Sequence, residues 1–426
     1  MRTLSRRASF WTAAAVAALA LWTSAAPSVS YPLYAAEWHL TPATTNAIFA
    51  VYPVVLVVVL VVFGDLSDHI GRRASIVLGL TAMLAGAVLF AVAPAVGWVF
   101  AGRALMGLGV GLSLSPASAA MVELSEPSRV ARASSVTTAA TATGMALATL
   151  VGGALVQYAP APLHLSYVVL AVVVALVLGL AWFLPRPVAG SDVSRWRLRG
   201  LTVPRGLRGV FATAAVAVTA AYALGSVVLA MGAQIARQLV GNANALVTGG
   251  VLSVSALAIG AVALLARRLP ARVLVAGGAA ASVAGLGLLT LSAAEHSLPL
   301  FLLASALGGA GYSLNFLGGL TLVNAFAPRH HRAGMLSSVL VVAYLMQGVT
   351  ALLLGASATV SGLQVALDLG TPAIGLVCLA ALVLVLTLAR PGRALVPPPV
   401  SPPVSPPVST PVSTAASTTA QEGPLA

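Results

Sequence analysis

Long apolar runs alternate with short polar breaks along most of this chain. A membrane-spanning helix needs about 20 predominantly apolar residues. Runs of that kind predict spans at 9–33, 42–63, 74–94, 97–121, 133–157, 163–184, 209–233, 244–266, 273–293, 298–325, 334–359 and 364–389. The longest internal polar stretch, 185–208, divides these twelve into six and six. Beyond 389 the pattern changes. Val400-Ser401-Pro402-Pro403 repeats as Val404 to Pro407 and gives way to Ser and Thr. Such a segment has nothing to bury and predicts a solvated, extended tail. The chain therefore reads as a six-helix half (9–184), a central loop (185–208), a second half (209–389) and a tail (390–426).

Composition sharpens this picture. Charged residues are 7% of the 426 and hydrophobic ones 59%, where a soluble domain carries roughly 25% charge. The mean hydropathy of +1.01 agrees. A soluble enzyme is excluded, and an all-α membrane protein of twelve transmembrane helices is predicted. The 22 basic residues are all Arg. Twenty fall in the N-terminal segment, in alternate loops and in the C-terminal segment; Arg237 alone falls on the other side, and Arg103 lies within a span. Positive charge collects on the cytoplasmic side, so both termini are expected there. A signal peptide would also begin with Arg2, Arg6 and Arg7 ahead of an apolar run. This run continues past Pro27 to Tyr34, which is long for a signal core. Scattered Arg residues make no dense basic face, so nucleic acid is not an expected partner. One cysteine, Cys378, supports no disulfide framework. The six His residues sit at helix ends or in loops, without metal-ligand or catalytic spacing. No metal, cofactor or catalytic residue is predicted.

Between spans two and three the chain reads Gly64-Asp65-Leu66-Ser67-Asp68-His69-Ile70-Gly71-Arg72-Arg73. Gly64 and Gly71 permit a tight turn. Arg72 and Arg73 suit the cytoplasmic lipid surface. Asp65 at the membrane edge calls for an Arg or a helix N-terminus as partner. This segment resembles motif A of the major facilitator superfamily, with every fixed position filled, and the likeness extends over about 9–389. Span four reads Arg103-Ala-Leu-Met-Gly107-Leu-Gly109-Val-Gly111 and resembles the superfamily's motif B. Arg103 either owes a partner inside the membrane or snorkels to the outer surface. Gly107 and Gly111 suit helix packing. In span five, Gly144, Ala148 and Gly152 repeat every four residues and Gly153 follows. That stretch resembles motif C of antiporters, but Ala148-Thr149 replaces its Gly-Pro pair. The second half looks like a decayed copy of the first. Placing Pro270 on Gly71 puts Arg272 on Arg73, and Leu264 on Asp65.

The resemblance implies a secondary transporter akin to twelve-span drug/proton antiporters. It would work by alternating access about a midplane site. In that superfamily spans one, four, seven and ten line the cavity, which nominates Trp22, Tyr31, Ser113, Tyr222, Gln234 and Asn315; span eleven adds Tyr344 and Gln347. Asn315 and Gln347 are the most expensive of these to bury. No Asp or Glu falls mid-span on this reading; Glu123 closes span four, and Asp368 is assigned to an outer loop. A pocket without a buried acid favours a small neutral or anionic amphiphile over a lipophilic cation. The resemblance further implies proton-coupled efflux, a cell-membrane location in the lipid bilayer and a functional monomer. It also implies that Asp65 meets the start of span eleven near Arg332 to Gly334, with Arg72 and Glu123 extending that network. Uptake, and a sensor or scaffold that has lost transport, are the alternatives.

Overall fold

The computed structural model describes residues 4–126, 130–185 and 205–388. Most of the expected central loop and all of the expected tail lie outside the described residues. Among those described, twelve helices are long and apolar enough to cross a membrane: Arg6–Val29, Pro42–Val62, Arg72–Ala91, Val96–Glu123, Arg132–Tyr158, Pro162–Ala181, Arg208–Gln238, Ala245–Ala266, Ala271–Ala294, Leu298–Phe326, Gly334–Ser361 and Leu363–Thr387. Leu176, Leu353 and Leu376 are each about two-thirds exposed. Such residues suit acyl chains, whereas the interior of the bundle is rich in Ala, Gly, Ser and Thr.

Local chemistry accounts for the helix ends. Thr41 caps span two by accepting from the Thr44 N–H at 3.3 Å. Asn244 caps span eight through the N–H groups of Leu246 and Val247. Pro42 and Pro162 occupy first-turn positions, where a missing N–H costs nothing. Two spans are less regular than their apolar runs suggest. Span one is helical over Arg6–Ala25, tightens to a 3-10 turn over Ala26–Val29 and resumes as Tyr31–Glu37. Pro27 and Pro32 each remove a backbone donor there, so the α-helical ladder cannot run straight through. Span seven contains a π-helical stretch, Val227–Met231, and continues to Gln238. The last span begins at Leu363, which places Asp368 in its second turn rather than in a loop; the carboxylate is exposed and accepts from the Gln364 amide at 3.0 Å.

In lipid no hydrophobic force drives helix against helix, so close packing of small residues must do it. Gly107 and Gly111 lay span four on span two: an added Cβ would meet the Tyr52 carbonyl at 2.7 Å and Val59 Cγ1 at 2.7 Å. Gly109 sits likewise against Gly79 of span three. The halves meet along two seams, span five against span eight and span two against span eleven. At the first seam Gly153 is pressed on the Ala245 carbonyl and Gly249 on the Thr149 carbonyl. The four-residue stripe expected in span five is not one contact face. Gly144 packs on Ala18 of span one, Gly152 faces open space, and the residues against span eight are Ala142, Thr149 and Gly153.

Candidate functional site

A cavity of about 330 Å³ lies between the halves, lined from spans one, two, four, five, seven, eight, ten and eleven. Its wall is apolar and aromatic. Tyr222 stands edge-on to Tyr344 at 4.6 Å between ring centroids. Tyr312 follows at 5.8 Å from Tyr222, and Phe316 stacks on Tyr312 at 6.2 Å. Across from them lie Ser24, Phe49 and Tyr52, with Ser118 and the span-five threonines Thr137, Thr138 and Thr141. Among the described residues no Asp, Glu, Arg or His lines it. The Gln347 amide is its most polar group, and the buried Gln347 Oε1 accepts no hydrogen bond.

Of the residues nominated from sequence, Tyr222, Tyr344 and Gln347 line this cavity, and Trp22, Tyr31, Ser113, Gln234 and Asn315 do not. Each of the five has another position. Trp22 is half-buried against the core of the first half. Tyr31 is buried at the bend of span one. Ser113 donates to the Gly109 carbonyl of its own helix at 2.8 Å. Asn315 Nδ2 donates to Ser282 Oγ of span nine at 3.1 Å, away from the centre. Gln234 Nε2 donates to Thr45 Oγ1 across the two halves at 3.1 Å. Phe49 and Tyr52 escaped the sequence reading because span two was not counted as cavity-lining. The threonine cluster Thr137, Thr138 and Thr141 is the sequence feature that marks span five as cavity-lining.

The cavity is sealed on one side. Toward the outer ends, Gln234 reaches Thr45, Asn46 Nδ2 donates to the Ala351 carbonyl at 3.0 Å, and the Ala43 N–H donates to Thr359 Oγ1 at 2.8 Å. The Ala245 N–H donates to Gln157 Oε1 at 2.8 Å. All four ties join the halves. The cavity residues of spans four, five, eight and ten instead run from mid-depth toward the Arg-rich ends. The arrangement is inward-facing.

The loop between spans two and three forms a compact charged unit on the Arg-rich side. Leu66–Ile70 is one short helix, and Gly71, at φ +88°, turns the chain into span three. Only glycine takes that conformation without strain. Arg72 Nη1 bonds Asp68 Oδ1 at 2.5 Å and Ser67 Oγ at 2.6 Å, while Arg72 Nε reaches Glu123 Oε1 at 3.3 Å. The Arg73 guanidinium lies 5.8 Å from the Trp182 ring centroid, tying span three to the end of span six. Gly64 closes span two just before this unit, and the Asp65 carbonyl accepts from His69 Nδ1 at 2.9 Å. Pro270 occupies the same N-cap position before span nine that Gly71 occupies before span three. Arg103 does not snorkel. It is 0% exposed, and its Nη1 donates to the Ser24 carbonyl at 3.0 Å.

Comparison with known proteins agrees with this geometry. Residues 10–268 match the Major Facilitator Superfamily. The chain belongs to that superfamily, whose members are transporters and not enzymes. A stretch of 154 residues is 30% identical to the multidrug efflux pump LfrA of Mycolicibacterium smegmatis, covering 35% of this chain and 30% of that pump's length. Among solved structures, a bacterial homologue of the human lysosomal transporter Spinster, inward-facing and unoccupied, superposes with a TM-score of 0.67 at 14% identity, over 90% of this chain and 95% of that one. The nucleoside transporter NupG gives 0.72 at 12% identity, over 89% and 100%. A POT family transporter in complex with 5-aminolevulinic acid gives 0.72 at 12%, over 90% and 96%. These likenesses establish a multi-pass membrane protein with the transporter fold of the family.

Proposed function

We propose that this chain exports a small neutral or anionic amphiphile across the cell membrane by alternating access, as a monomer and in exchange for protons. The observation that carries the reading is the cavity wall: aromatic and aliphatic side chains, hydroxyls and one amide, with no carboxylate or cation among them. Such a wall accepts an apolar body and orients it through a few polar groups. It offers a lipophilic cation no counter-charge. Outward transport is favoured by the partial likeness to an efflux pump. The replacement of the Gly-Pro pair by Ala148-Thr149 is the feature that speaks for uptake. Asp65, Glu123 and Glu37 are the carboxylates nominated to carry protons, and all lie at the ends of spans; Asp68 and Glu126 are the other two acids of the first half.

The test is flux in proteoliposomes under an imposed pH gradient. Matched neutral, anionic and cationic amphiphiles of similar size are compared. The expected result is gradient-driven movement of the neutral or anionic compounds only. Preference for the cations would overturn the substrate class. Absence of flux for every compound, with folded protein, would overturn transport and favour a sensor or scaffold.

A further inference from the structure

Arg103 lies within span four, in the outer part of Val96–Glu123, and is the one fully buried Arg side chain among those described. Its Nη1 has the Ser24 carbonyl, but Nε and Nη2 are buried without a hydrogen-bond partner among the described residues. The guanidinium sits 4.8 Å from the Tyr52 ring centroid and 5.7 Å from that of Phe49. Ring faces spread some of the charge but do not replace a hydrogen-bonding counter-ion. Both described ion pairs belong to Arg72, at the far end of the bundle. A cation taken out of water at such depth is strongly disfavoured unless a negative group and hydrogen bonds compensate it.

The surroundings point the same way. Tyr31 is buried, its hydroxyl has no hydrogen-bond partner, and it lies within the electrostatic reach of Arg103. The hydroxyl of Ser28, on the same bend of span one, is buried and unpaired among the described residues. Guanidinium N–H groups only donate, and a phenol can turn to donate with them. The group that satisfies this set is an acceptor carrying negative charge.

We propose that Arg103 and the Tyr31 hydroxyl form a buried site for one singly charged anionic group, a halide or a carboxylate, behind the cavity wall made by Ser24, Phe49 and Tyr52. A halide would be a resident counter-ion. A carboxylate would be the acid end of the cargo, reaching past Tyr52 while its apolar body fills the cavity; this second source rests on the transport reading above.

The test reads binding, not flux, so its failure is distinguishable from failure of the transport reading. The full chain in detergent is melted while sodium sulfate is replaced by sodium chloride or bromide at constant ionic strength. Sulfate stabilises folded proteins generally, so this replacement lowers the melting temperature unless a halide site fills. In a second arm octanoate is compared with octanol. A saturable rise with halide supports a resident ion. A rise with octanoate but not octanol, without a halide effect, supports the cargo's acid group. Tyr31→Phe should weaken half-saturation roughly tenfold, the loss of one hydrogen bond to a charged group, and leave the protein folded. Arg103→Lys, which keeps the charge and loses the fork, should weaken it further. No rise in either arm overturns the proposal, as does a Tyr31→Phe protein that titrates like wild type.

Discussion

Gln347 and Asn315 show how far a single side chain decides function in this bundle. Both are amides inside spans, and both are buried. Asn315 donates its Nδ2 to Ser282 between spans nine and ten, where Gly278 leaves room for it; its buried Oδ1 is unpaired among the described residues as well, so what separates the two amides is that only Gln347 faces the cavity. Gln347 keeps its Oε1 unpaired at the cavity. A buried acceptor without a donor is unfavourable until a ligand supplies one. Replacing it with an apolar group of similar size should therefore leave stability unchanged or slightly raised. Gln347→Leu is expected to raise KM for a cargo with an N–H or O–H group by about fivefold to tenfold, since a neutral hydrogen bond contributes about 1 kcal/mol. The change should vanish for a cargo without such a donor. Transport kinetics on the paired compounds check this, and an equal effect on both would mean that Gln347 shapes the cavity and does not grip cargo. Residue types alone could not separate the two amides. Each sits mid-span, and which way it points depends on how its helix is turned against neighbours distant in sequence. The motif between spans two and three was legible for the opposite reason: its glycine, its Arg and its Asp act within a few residues of one another.

At the level of helices, the count and extent of spans follow from apolar runs because the bilayer fixes their length. Irregularities inside spans were not legible in the same way. Pro53, Pro116 and Pro372 sit within helices that continue, whereas Pro27 and Pro32 accompany the bend of span one. Pro53, Pro116 and Pro372 each stand alone in a helix interior, whereas Pro27 and Pro32 fall in one short stretch. The seam between spans five and eight offers a sharper test. Gly249 lies so close to the Thr149 carbonyl that any side chain there must push the two helices apart. Overpacking typically costs about 1–3 kcal/mol. That strain falls on the outer closure seen here and is relieved when the outer ends part. Gly249→Val should shift the resting population outward by roughly tenfold and slow turnover, with membrane levels maintained. A Ser118→Cys probe at the inner part of the cavity reads this shift: its labelling rate should fall. Unchanged labelling with normal turnover would show that the seam yields without cost.

Across the whole molecule the two sides are built from different chemistry. The outer closure uses neutral partners: Gln234 with Thr45, Asn46 with the Ala351 carbonyl, and the Ala43 N–H with Thr359. The inner side carries the charges, with Arg72 holding Asp68 and Glu123 within the first half and Arg267 Nη1 reaching Ser135 Oγ across the halves at 2.7 Å. Neutral hydrogen bonds break and re-form with little dependence on salt, whereas a charge at the membrane edge is a stronger and more directional lock. Asp65 stands at the head of the short helix Leu66–Ile70 on that inner side. Span eleven is part of the helix Arg329–Ser361, whose first turn lies on the same Arg-rich side. A helix N-terminus carries about half a positive charge, and a carboxylate placed on it gains roughly 1–2 kcal/mol at a partly buried site. Closing the inner mouth would shorten the approach between the two, so the contact would be stronger in the outward-facing state. A contact stronger in one state than in the other is what shifts an equilibrium. Asp65→Asn keeps the size and removes the charge. It should leave the protein folded and raise the inward-to-outward ratio by up to about tenfold, the reverse of the expectation for Gly249→Val. The Ser118→Cys probe should then label faster than in the unmodified background, while transport slows because the outward-facing state is rarely reached. The double variant Asp65→Asn, Gly249→Val provides the internal check: two opposed shifts on one equilibrium should bring labelling back toward the starting rate. If Asp65→Asn changes neither labelling nor transport, the inner gate of this protein is held by other residues.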